Sequence, residues 1–171
     1  MIEWSARRLV VQVGGRFDDA VAQYQSAVPV FPAERFERLV AVQADWAAVL
    51  EETRAVAPHG FLRYWSFPAD PLMSLAGNSA RCTAYLMGNH TVVERMYRHD
   101  PAVFLYAPLR TAITQVPGGP VRFSVEQPSR EFASFGPLSV AAVGTELDHM
   151  LAALLEALGW AVPAPLSVAG A

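Results

Sequence analysis

The chain has 171 residues, of which 53% are apolar, 17% charged and 11% aromatic, with 16 acidic and 13 basic side chains and a net charge of −3. That length suits one domain with a sizeable core, the composition excludes a disordered chain, and weak acidity without a basic cluster argues against nucleic acid as a partner. All 13 basic residues are arginine, which excludes a Schiff-base lysine and the lysine of a phosphate-binding P-loop.

Leu9, Val11 and Val13 alternate with Val10 and Gln12 before Gly14-Gly15, a first strand. Phe17, Ala20, Val21, Tyr24 and Val28 then recur at helical spacing until Pro29 and Pro32, with Asp18 and Asp19 in the dipole-favoured first turn. One longer helix is expected next, with Phe36, Leu39, Val40, Trp46, Ala47 and Leu50 on its apolar face, ending at Pro58-His59-Gly60. Phe61 to Phe67 reads as an aromatic-rich strand, Pro68 to Ser79 as a loop, and Arg81 to Met87 as a strand. In that strand Cys82, Ala84 and Leu86 share one side, so Cys82 is expected to be a buried small residue. Gly88-Asn89-His90 turns the chain into a short helix with Thr91 and Glu94 at capping-box spacing.

Thr111 to Val116 and Val121 to Glu126 form a hairpin around Pro117-Gly118-Gly119-Pro120. A loop is expected from Pro128 to Pro137. The last element is a leucine-rich helix through Leu147, Leu151, Leu154 and Leu158, with Glu146 and Asp148 in its first turns and Gly159 at its end. Few strands lead directly into a long crossover helix, so a parallel doubly wound sheet is disfavoured. The expected fold is α+β: a mostly antiparallel sheet covered on one face by helices, with a long C-terminal helix. It forms a single domain over 1–162, with 163–171 a mobile tail.

From Arg81 onward the chain resembles domain-of-unknown-function family three-hundred-and-two. The likeness rests on the strand entering Gly-Asn (Tyr85-Leu86-Met87-Gly88-Asn89), the Tyr106-Ala107-Pro108-Leu109 stretch, the Val121 to Pro128 strand and the closing helix. The resemblance implies a TATA-binding-protein-like α+β fold and a homodimer, and carries no settled activity.

Asn89 and His90 stand where a strand ends and a helix begins, a place where ligands meet exposed N–H groups. A histidine there suits acid–base chemistry near neutral pH, and His90, Asn89 and Tyr85 are the candidate catalytic residues. The competing local reading makes Asn89 a cap or turn residue and His90 a solvated one. Tyr64, Met87 and Tyr97, from an aromatic and methionine-rich stretch, are candidate ligand contacts, joined by Glu126 and by His149, which is expected to be half-buried. The four histidines lack metal-binding spacing, so no metal is expected, and no organic cofactor either. The expected function is binding of a hydrophobic small molecule in a sheet–helix pocket, with cofactor-independent cyclase, isomerase or dehydratase chemistry. The alternative is a non-catalytic ligand-binding or dimeric interaction module. Cys82 is the sole cysteine, which excludes an intramolecular disulfide. No apolar run is long enough to span a bilayer, so no membrane partner is expected. The N-terminus lacks the order of a signal peptide, and a cytoplasmic protein is expected.

Overall fold

Alternation in the strands decides the architecture. In the computed structural model, which describes residues 1 and 3–167, five strands form one sheet: β1 (Arg8–Val13), β2 (Leu62–Pro68), β3 (Arg81–Gly88), β4 (Leu109–Gln115) and β5 (Val121–Glu126). Their order across the sheet is β1-β5-β4-β3-β2, and every neighbouring pair is antiparallel. The chain therefore starts at one edge and crosses to the other before filling the middle. Leu9, Val11 and Val13 of β1 and Val121, Phe123 and Val125 of β5 are buried on the same face as Ile113 and Tyr85. The turn between β4 and β5 places Gly118 at φ +70°, where a side chain would be strained.

Two helices dominate the covering layer. α1 (Phe17–Ala27) buries Phe17, Ala20 and Tyr24. α7 (Leu138–Ala157) buries Val140, Val143, Leu147, Leu151, Leu154 and Leu155. This is the α+β arrangement that the sequence implies, with the long C-terminal helix included. By length and composition α7 could also cross a membrane, but its leucine stripe is part of the domain core.

Several local expectations need correction. The long helix after Pro32 is two, α2 (Ala33–Ala41) and α3 (Trp46–Val56), because Gln43 takes φ +50° and the Asp45 carboxylate caps α3 by accepting from Ala48 N at 2.9 Å. The stretch after β2 contains a short helix, α4 (Asp70–Ser74). α5 (His90–Tyr97) is capped by Asn89 rather than Thr91. The Pro128 to Pro137 loop contains α6 (Pro128–Phe132) and a 3-10 turn (Ala133–Phe135). α7 starts at Leu138, so Glu146 and Asp148 lie in its interior. Asp148 is buried there because it accepts from Gln127 Nε2 at 2.7 Å and from Ser129 N at 2.9 Å, tying down the start of α6. α6 presses on α7 at Gly144, where an added Cβ would sit 3.0 Å from Phe132 Cβ and 3.1 Å from Ser129 Cα. The segment expected to be mobile begins with α8 (Ala164–Ser167), whose Leu166 is fully buried. Residues 168–171 lie outside the described residues.

Candidate functional site

The corner where β2 and β3 meet α5 gathers the polar chemistry. Before β2, the Pro29 to Pro32 segment runs alongside it: Arg63 N donates to Pro29 O at 2.7 Å and Phe31 N donates to Arg63 O at 2.9 Å. β2 then carries a bulge between Arg63 and Trp65, which takes Tyr64 out of the strand's alternation. Its ring stacks on Phe31 with centroids 4.8 Å apart. At the end of β3, Asn89 Oδ1 accepts from Thr91 N and from the Thr91 hydroxyl, while its Nδ2 donates to Gly60 O at 2.8 Å. That cap fixes the first turn of α5 and points the His90 side chain toward Tyr64 and α3.

Both His90 ring nitrogens have partners. Tyr64 Oη lies 2.9 Å from Nδ1, and Thr53 Oγ1 of α3 lies 2.8 Å from Nε2. The proton inventory sets the directions. Thr53 has one hydroxyl proton and donates it to Val49 O at 2.7 Å, so its oxygen accepts from His90 Nε2–H. Nδ1 is then the bare nitrogen, and Tyr64 donates to it. Phe31 and Phe36 meet the imidazole edge-on at centroid distances of 5.7 and 4.6 Å. Burial lowers the His90 pKa below its ordinary 6.5, which keeps the ring neutral at physiological pH. Burial likewise pushes the Tyr64 phenol up to about 12, opposed in part by the His90 backbone N–H. The relay is thus a neutral Tyr–His–Thr chain, poised with the Tyr64 proton on the shared bond.

This relay opens on a cavity of about 290 Å³ lined by Tyr64, Trp65, Leu86, Gly88, Asn89, His90, Val93, Phe104, Ala107 and Pro108. Phe104 comes from a 3-10 turn at Pro101–Leu105. Gly88 helps to keep the corner open: a Cβ there would stand 3.4 Å from Pro108 and 3.7 Å from the Tyr64 ring. The hollow expected beneath the covering helices is instead filled, with Tyr24 packed against Tyr85 at 4.7 Å and against Phe123 at 5.7 Å. The cavity sits at the margin of the sheet.

Of the residues singled out in the sequence, His90, Asn89 and Tyr64 converge on this cavity. Asn89 has a capping geometry, so its bonds are spent on the backbone and on Thr91. Tyr85 faces the core, where its hydroxyl accepts from Gln25 Nε2 at 3.4 Å, and it does not line the cavity. Met87 is fully buried core. Tyr97 lies on the outer side of α5 against Phe104, at 5.6 Å between ring centroids. His149 is exposed on α7 rather than half-buried. Thr53, Phe31, Phe36, Leu86 and Phe104 are contributors that the sequence reading missed. Cys82 is not core either: with Ala84 and Leu86 it takes the open face of the sheet, because Thr83, Tyr85 and Met87 are the buried set.

Glu126 lies on that open face in a separate cluster. Arg110 donates to its carboxylate at 2.5 Å and to Glu131 at 3.3 Å. Glu131 is almost wholly buried, and burial together with a shared hydrogen bond to Glu126 holds its carboxyl well above the usual carboxylate range.

The fold belongs to the class of small α+β domains in which an antiparallel sheet is covered on one face. The chain is similar in structure to an uncharacterized conserved DUF302 protein from Bacillus stearothermophilus, with a TM-score of 0.60 over 88% of this chain and 95% of that one. The DUF302 fold implied by the stretch from Arg81 onward is therefore the fold observed, and at 13% identity the likeness is one of fold alone. A scan against protein-family models and a search of curated proteins find no match.

Proposed function

We propose that the protein binds a hydrophobic small molecule bearing a hydroxyl or enol oxygen in the corner cavity, and that Tyr64 and His90 move a proton on it. The observation that carries this reading is the Tyr64–His90–Thr53 chain ending at an otherwise apolar cavity of about 290 Å³, the small end of the range for ligand sites. With its own proton on His90, Tyr64 Oη offers the cavity a lone pair, which suits a ligand O–H. As that proton moves to Tyr64, the phenol proton passes to Nδ1, leaving a ligand oxyanion and an imidazolium whose Nε2–H stays on Thr53. For an enol, return of the proton to the α-carbon gives the ketone and completes an isomerisation, while loss of a β-hydroxyl from the enolate as water, with the proton taken back from the relay, completes a dehydration. Neither step calls for an organic cofactor.

Binding without turnover is the second reading, favoured by the mutual satisfaction of the three polar side chains. Calorimetric titration with p-cresol and its methyl ether tests the binding claim. Saturable one-to-one binding of p-cresol is expected, weaker for the ether and lost in Val93→Trp, which fills the cavity. Absence of binding, or binding indifferent to Val93→Trp, overturns it. Once a substrate is in hand, His90→Gln separates the two readings: turnover is lost and affinity kept if the relay is catalytic.

A further inference from the structure

The uncovered face of the sheet carries a second site, separated from the corner cavity by Trp65 and Leu86, which line both. Its concavity holds about 890 Å³. The floor is a row of short side chains in direct register: Ala84 opposite Ala112, and Ala112 opposite Ser124. A row that low leaves a shelf on which a flat group can lie against the sheet. One end is walled by Trp65, 48% exposed, whose ring is backed by Phe67 in a stack at 5.8 Å. Val10, opposite Ser124, closes the other end.

The charge around this shelf is lopsided. Arg8, Arg110 and Arg122 line it against one acid, Glu126, which stands opposite Arg8 in register, in a chain whose net charge is −3. Arg110 is engaged by Glu126 and Glu131, whereas Arg8 and Arg122 have no acidic partner among the described residues. An aromatic wall, a low floor of small side chains and the unpaired guanidinium of Arg122 together match one ligand chemistry. We propose that this face binds a planar aromatic carboxylate, its ring on the Ala84–Ala112–Ser124 shelf against Trp65 and its carboxylate on Arg122. Guanidinium is suited to this because its fork can engage both carboxylate oxygens.

Titration calorimetry with 2-naphthoate and the neutral 2-naphthamide tests the site. The carboxylate is expected to bind one-to-one and on the order of tenfold more tightly than the amide. Arg122→Gln should erase that preference while leaving the amide's affinity unchanged. Ala112→Leu, which raises the floor, should abolish both, and Val93→Trp in the neighbouring cavity should change neither. Equal binding of the two probes overturns the proposal, as does binding that survives Ala112→Leu. Loss on Val93→Trp assigns the probe to the corner cavity and also overturns it. Sedimentation of the free protein adds a further check: if this face is closed by a second copy, Ala112→Arg will convert a dimer to a monomer, and the proposal fails.

Discussion

Replacing Tyr64 by Phe removes one oxygen and keeps the ring that stacks on Phe31 at 4.8 Å. The bond lost is the one to His90 Nδ1, at 2.9 Å. A hydrogen bond of this kind contributes about 0.5–1.5 kcal/mol net, and a half-buried acceptor left without a donor raises the cost. The expected destabilisation is therefore about 1–2 kcal/mol, or roughly 2–8 °C in Tm for a chain of this size. Urea unfolding at pH 8 with an unchanged m-value measures it. The same substitution made in a His90→Phe background should cost little, since the acceptor is already gone, giving a coupling of about 1 kcal/mol. Proton linkage supplies an independent reading. The folded His90 has a lowered pKa and the unfolded one an ordinary 6.5, so between those values the unfolded state holds more protons. Stability attributable to His90 is complete above 6.5 and falls as the pH drops through that window. His90→Phe should flatten that part of the profile. An equal cost of Tyr64→Phe in both backgrounds, or no cost in either, would refute the relay.

The other expectations concern the frame around the site. Gly144→Ala should destabilise by about 1–3 kcal/mol despite alanine's better helix propensity, because its Cβ meets Phe132 and Ser129; thermal unfolding reads this directly, and a stabilised variant contradicts the close contact of α6 with α7. Glu131→Gln mimics the protonated acid. Because Glu131 has a raised folded pKa, the wild type loses stability as pH climbs from the ordinary carboxylate value toward the folded one, so the variant's advantage should grow from pH 5 to pH 8. A difference that is flat or shrinks over that range refutes the shared proton. Asn89→Ala removes the α5 cap and the bond to Gly60 O, with an expected cost of about 1–2 kcal/mol in chemical denaturation; a neutral effect would deny its capping role.

Much of the fold could be read from alternation and period. Leu9-Val11-Val13, the Val121-Phe123-Val125 arm and the leucine stripe of α7 each expose one apolar face, and each buries it. The direction of β3 was harder to read, because both of its faces are largely apolar: Cys82, Ala84 and Leu86 look as buriable as Thr83, Tyr85 and Met87, and pairing in the folded sheet decides between them. Gln43 hid the break between α2 and α3, since a non-glycine residue at positive φ leaves no compositional mark. The site was half legible. His90 and Asn89 announced themselves as polar residues at a strand–helix junction. Thr53 gave no such sign, because a threonine inside an amphipathic helix reads as filler until the neighbouring imidazole is seen. Tyr64 was legible as a ligand contact, but its bond to His90 depends on the β2 bulge, which local sequence does not encode.

The most direct measurement is nitrogen NMR of the His90 imidazole during titration with p-cresol. The free protein should show a neutral ring protonated at Nε2, with Nδ1 accepting a hydrogen bond, and p-cresol should shift Nδ1 saturably together with the Val93 and Leu86 methyls. A ring that averages its tautomers in contact with bulk solvent, and that ignores the phenol, contradicts the account.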